Sequence, residues 1–186
     1  MRWMLVIVAV LAAALASTGA APARSQDSAF ERRVVLEQQV LRELNKVRAA
    51  RGLTTLRAAT GLQTAAARHS RSMLVLGFFA HESVDGTPFQ HRIRRHYPSR
   101  GWESWSVGET LLAMNTWATD ARSIVGAWLA SPRHRDIILS AGWRDAGIGA
   151  FYRDDAPGSY GGMETLVVTA DFGLRSGKQR LLQALS

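Results

Sequence analysis

Five histidines, at positions 69, 81, 91, 96 and 134, carry most of the chain's capacity for acid–base or metal chemistry, because it contains no cysteine. Thiol catalysis and cysteine-based zinc sites are thereby excluded. His81-Glu82-Ser83-Val84-Asp85 opens like a zinc-protease helix but lacks the second histidine four residues on. No G-x-S-x-G nucleophile elbow and no phosphate-binding P-loop is present. Two histidines stand out. His81 ends the aromatic run Phe78-Phe79-Ala80 where a helix gives way to a turn-rich loop, and His134 lies in the first turns of a helix opened by Ser131-Pro132. Glu109 follows Gly108 in a segment otherwise apolar on one side (Val107, Leu111, Leu112). A lone acid in that setting needs a partner, since burying an unpaired carboxylate is expensive.

The elements that must position these residues follow from pattern. An amphipathic helix is predicted from Phe30 to about Ala50, with Val34, Leu41, Leu44 and Val47 recurring at helical spacing and Gly52 as its stop. A second helix is predicted over 60–76, with Leu62, Ala66, Met73 and Leu76 on one side and His69 packed inward near Met73. Asp85-Gly86-Thr87-Pro88 reads as a turn, with Thr87 able to cap a short helix whose Phe89, Ile93 and Tyr97 share a face. After a loop containing Trp102 and Trp105, residues 106–113 read as a strand. Asp120 caps a helix through Ala130, with Ile124, Ala127 and Trp128 inward, and Ser131-Pro132 opens another ending near Leu139. Residues 145–152 and 163–172 read as strands joined by a glycine-rich hairpin loop. The layer solution for this order is α+β: an antiparallel sheet sandwiched between helices.

Composition bounds the setting. Met1–Arg2 followed by an apolar run over 4–16 and small residues through Ala-Pro-Ala at 21–23 reads as a signal peptide, residues 1–23. The run is shorter than the roughly 20 residues of a membrane span. Its removal leaves roughly 160 residues, enough for one domain. An exported protein without cysteine has no disulfide staples and no disulfide-linked partner, so its core alone must hold it. The formal charge is +8, and only Arg2 of the cations falls in the signal segment. Such an excess favours anionic surfaces. Arg92, Arg94, Arg95 and Arg100, with His91 and His96, are predicted to form an exposed basic face beside Trp102 and Trp105, suited to anionic lipid or cell-wall polymer. Export argues against nucleic acid.

Several ordered motifs then match at once: A-A-R-H-S-R-S-M (66–73), F-F-A-H (78–81), D-G-T-P (85–88), V-G-E-T (107–110), W-L-A-S-P-R-H-R-D-I-I-L (128–139), G-I-G-A (147–150) and D-F-G (171–173). Together they resemble the bacterial SCP-domain branch of the CAP superfamily, which groups cysteine-rich secretory proteins, antigen 5 and pathogenesis-related proteins. The resemblance spans about residues 38–173. Residues 24–37 are left as a leader and the start of the first helix, and 174–186 as a tail.

The resemblance implies a three-layer α-β-α sandwich whose cleft holds two histidines and two acids. His81 is similar to the first histidine, Glu109 to the acid of the Gly-Glu motif, and His134 to the second histidine. The second acid is missing, with Ser131 in its place, and Glu82 or Asp85 are the nearby substitutes. Two imidazoles and one carboxylate could hold a divalent metal, zinc or calcium, with an open position. They could equally form a hydrogen-bond network closing a helix–sheet seam. The function expected is a secreted or periplasmic, monomeric, non-enzymatic module that binds lipid or cell-envelope components. The alternative is a metal-dependent hydrolase acting on peptide or envelope substrates.

Overall fold

The computed structural model describes residues 30–116 and 118–178, so the expected signal peptide lies outside the described residues. Ten elements follow in chain order: β1 (Glu31–Arg32), α1 (Val34–Ala49), β2 (Arg57–Ala58), α2 (Thr60–Leu76), α3 (Phe89–Arg94), β3 (Trp102–Met114), α4 (Ala121–Ala130), α5 (Pro132–Ile138), β4 (Asp145–Ala156) and β5 (Met163–Lys178). The sheet runs β1-β4-β5-β3, with β2 joining β4 beside β1. All pairings are antiparallel except the two-residue β2–β4 contact, which is parallel.

Helices cover both faces, as the sequence predicts. On one side α1, α4 and α5 bury Leu36, Val40, Leu44, Ile124, Trp128 and Ile138 against Ala146, Ile148, Ala170 and Phe172. On the other, α2 lies along β4 and β5, with α3 docked beside it. The contact between α2 and β4 is backbone against backbone. A Cβ added at Gly147 would fall 2.0 Å from Gln63 N, and one at Gly149 2.4 Å from the backbone of Ala66 and Ala67. Only glycine permits that approach. Ser70, buried on α2, fixes the register: its Oγ donates to the Gly149 carbonyl at 2.9 Å and stands 2.8 Å from Thr169 Oγ1.

Several local expectations are corrected. The first helix begins at Val34 rather than Phe30, because Glu31 and Arg32 pair with Tyr152 and Phe151 of β4. Its buried stripe is Leu36, Val40 and Leu44, and Val34 is exposed. Leu76, expected inward on α2, is exposed at the end of that helix. Pro88, not Thr87, precedes the first residue of α3, and no side chain caps it. Strand β3 starts at Trp102, so the two tryptophans belong to the sheet and not to a loop. On α4, Val125 is buried and Ala127 is exposed, while the predicted cap is found: Asp120 accepts from Ser123 N at 2.7 Å.

Candidate functional site

Strand β3 is an edge of the sheet, and its inward residues determine what can meet there. Glu109 points to the α2 face, alternating with Gly108, whose missing side chain makes room for Trp143 and Ile137 on the other face. The register pairs Glu109 with Asp171 of β5, and Asp171 with Gly147 of β4. Two carboxyl groups therefore lie side by side on that face at the edge pair of the sheet, both buried.

The partners of Glu109 come from two segments. His81, in the loop between α2 and α3, stands with Nδ1 2.8 Å from Glu109 Oε1. Arg92 of α3 donates from Nη2 to Glu109 Oε2. Its Nη1 stands 3.8 Å from Asp171 Oδ2. Burial opposes ionisation of Glu109, yet the His81 hydrogen bond and the Arg92 charge hold its pKa below the ordinary carboxylate value. Asp171 behaves oppositely. Burial and the neighbouring Glu109 charge push its pKa well up, and neither oxygen has a hydrogen-bond partner among the described residues. One guanidinium thus faces two carboxyls, and the pair is biased to keep a proton on Asp171.

Arg92 is the correction that matters most here. The sequence places it on an exposed basic face, whereas it is buried. The rest of that segment is as expected on the surface: His91, Arg94, Arg95 and Arg100 are exposed, and His96 is half-buried. The helical interval separates them. Phe89, Arg92 and Ile93 recur at i, i+3 and i+4, so Arg92 flanks the inward stripe. That spacing was the available signal. The neighbouring tryptophans are occupied by arginines: Arg94 stacks on Trp105 at 4.6 Å and Arg175 on Trp102 at 4.9 Å. Trp105 Nε1 also donates to the Tyr97 carbonyl.

The two histidines approach from opposite faces of the sheet, His81 from a loop and His134 from α5. Ser131 closes α4 and precedes Pro132 of α5, which sets His134 in the first turn of that helix. His134 is half-buried. Burial, and then the charge of His81, lower its pKa, so the two imidazoles sense each other across the edge of β3. His81 is raised instead, chiefly by its hydrogen bond to Glu109. His69 stays in the interior as expected, its Nε2 2.9 Å from the Ala80 carbonyl that precedes His81. Burial and the charge of Arg92 depress its pKa to about 4.

His81 and Glu109 are therefore brought together in a hydrogen-bonded network with Arg92, while His134 makes no side-chain hydrogen bond among the described residues. Both oxygens of Glu109 are engaged, Oε2 by the Arg92 guanidinium and Oε1 by His81 Nδ1. Among the described residues no three His, Asp or Glu side chains are grouped so as to hold a metal ion. Glu82 and Asp85 are exposed, and Asp85 Oδ1 accepts from Thr87 N in its own turn.

The family model of the cysteine-rich secretory protein family (CAP) matches residues 41–172. The chain belongs to the CAP family. Solved structures similar to this CAP chain include an extracellular protein containing an SCP domain from Bacillus anthracis, at 22% identity and a TM-score of 0.58, over 75% of this chain and 40% of that one. An outer surface protein of Borrelia burgdorferi is similar at 20% identity and a TM-score of 0.59, over 75% of this chain and 92% of the other. A cysteine-rich secretory protein of Staphylococcus aureus aligns at 12% identity, a TM-score of 0.51 and 38% coverage of its chain. This chain thus spans less than half of the Bacillus and Staphylococcus proteins. At these identities the likeness is one of fold. A comparison with curated proteins gives no match.

Proposed function

We propose that this CAP domain is a non-enzymatic binding module that acts outside the cytoplasm on anionic lipid or cell-envelope components. The observation that carries the reading is the bonding of Glu109. A carboxylate held on one oxygen by a buried arginine and on the other by His81 is a structural anchor. It is poorly placed to act as general base, because Arg92 stabilises its ionised form and lowers its basicity. Its partner Asp171 is sealed from solvent. Exposed cations are grouped on two segments: Arg94, Arg95 and Arg100 on one, with Arg68 and Arg71 on the outer side of α2. The CAP relatives from Bacillus anthracis and Borrelia burgdorferi, named as extracellular and outer surface proteins, support an envelope setting. Among the described residues no helix is long and apolar enough to cross a membrane.

Flotation of the purified protein with vesicles of phosphatidylglycerol and phosphatidylcholine tests this reading. Binding is expected at low salt and should weaken as ionic strength rises, because exposed charges are screened. No flotation at low salt overturns it. Metal analysis of the same protein, with His134→Ala beside it, tests the hydrolase alternative: stoichiometric zinc in the parent that is lost in the variant would favour a metal centre over the ion-pair network.

A further inference from the structure

The loop carrying His81 and the helices on either side of it enclose a second feature, which adjoins the site through Arg92. Between α2 and α3 lies a pocket of about 270 Å³. Arg68 of α2 and Arg92 and Arg95 of α3 stand in its wall. Ser72, Ser83 and His96 add hydroxyl and imidazole donors, and His69 closes the inner side. No aspartate or glutamate lines it. Neither Arg68 nor Arg95 has an acidic partner within ion-pair distance among the described residues. Arg92 is nine-tenths buried, and its Nε has no hydrogen-bond partner there although Nη2 is bonded to Glu109. Three guanidinium groups in one concave wall repel one another, and a buried N–H without an acceptor is costly. Both defects are relieved by the same thing, a compact anion rich in acceptor oxygens.

We propose that this pocket binds a phosphoryl group, the tetrahedral oxyanion of a phosphomonoester or of inorganic phosphate. Arginine forks and serine hydroxyls suit such oxygens in geometry and charge. The volume leaves room for a small substituent beyond the phosphate itself. His96 supplies a local reporter. Burial, Arg68, Arg95 and Arg92 all lower its pKa, so a dianion seated among those arginines must raise it. The inference deepens the binding-module reading and rests on it for the nature of the target.

Titration of the full chain with inorganic phosphate, glycerol phosphate and dihexanoyl phosphatidic acid, followed by calorimetry and heteronuclear NMR, tests the proposal. Binding should shift the amides of Ser72 and Ser83 and raise the His96 pKa. Arg68→Gln combined with Arg95→Gln should weaken it by about tenfold or more, each charge-assisted contact being strong. Arg122→Gln combined with Arg133→Gln removes the same charge elsewhere, on exposed positions of α4 and α5, and should leave it unchanged. A preference for glycerol phosphate or phosphatidic acid assigns the source to an envelope ester or a lipid headgroup, and tightest binding of inorganic phosphate assigns it to the free ion. Absence of shifts at Ser72, Ser83 and His96 with all three ligands overturns the proposal, as does equal weakening in both double variants. Phosphate binding in a protein that fails to float with vesicles would uphold the pocket and sink only the membrane version of the broader reading.

Discussion

Glu109 and Asp171 occupy facing positions on neighbouring antiparallel strands, and the single guanidinium of Arg92 reaches towards both. The two carboxyls are not equivalent. Glu109 is held ionised by Arg92 and His81, while Asp171 is driven towards its neutral form. Arg92→Gln should therefore lower stability by about 3–5 kcal/mol, the range for removing one partner of a buried ion pair. Asp171→Asn, which resembles the protonated acid, should cost no more than about 1 kcal/mol. Urea unfolding of both variants checks the contrast. Equal losses would mean that Asp171 is ionised in the folded protein.

His81 provides a second test. Its folded pKa is raised by the bond to Glu109, so its contribution is present in full below its unfolded value of 6.5 and is lost as pH rises through the folded value. An NMR titration should place His81 above 6.5 in the parent and lower it in Glu109→Gln. His134, depressed by burial and by His81, should titrate below 6.5 and move up when His81 is replaced by Gln.

His69 works in the opposite direction. It is held neutral in the folded protein, with a pKa of about 4 against 6.5 when unfolded. Between those values the unfolded chain binds the extra proton, so stability must fall as the solution is acidified from about pH 6.5 to pH 4. The full effect is about 3 kcal/mol if this group acts alone. His69→Gln keeps a donor for the Ala80 carbonyl and removes the titration, so its stability curve should be flatter over that window. An unchanged acid limb would assign the loss to other groups.

The close seating of α2 on β4 gives a steric prediction. Gly149→Ala puts a methyl group 2.4 Å from the backbone of Ala66 and Ala67, with no flexible side chain to yield. The helix or the strand must move, and a loss of at least about 1–3 kcal/mol is expected from overpacking. Gly126→Ala on the exposed side of α4, where an added Cβ meets nothing, should instead be neutral or stabilising because alanine favours helix. Thermal unfolding of the two variants checks both signs.

What could be read from the sequence was what local chemistry decides. Helix α2 has the span that its periodicity predicts, and the hairpin between β4 and β5 lies where the glycines fall. Residues 81 and 109 were legible as neighbours through ordered motifs; their spacing alone says nothing. Less legible were groups whose fate depends on a distant partner. Arg92 was hidden inside a run of cations whose other arginines face solvent. Arg48 and Glu37 carry charges on a helix that reads as having a polar outer side, yet both are buried. Arg48 donates to the carbonyls of Ile138 and Ser140, and Glu37 accepts from Arg32, Gln63 and Ala150 N. The start of α1 was misread for the same reason: Arg33 N donates to the Ala150 carbonyl, a long-range bond that outweighs helix propensity at Glu31 and Arg32.

The glycines beneath α2 have one further consequence. Where a helix rests on a strand through side chains, repacking lets the two slide. Here the two backbones touch, and Ser70 bolts them together. Helix α2 is consequently a fixed rail, and Arg68 and Ser72, one turn apart on its outer side, keep their spacing whether or not anything sits between them. A ligand arriving there meets donors whose ordering cost was met when the chain folded, which is the condition for tight recognition by so small a surface.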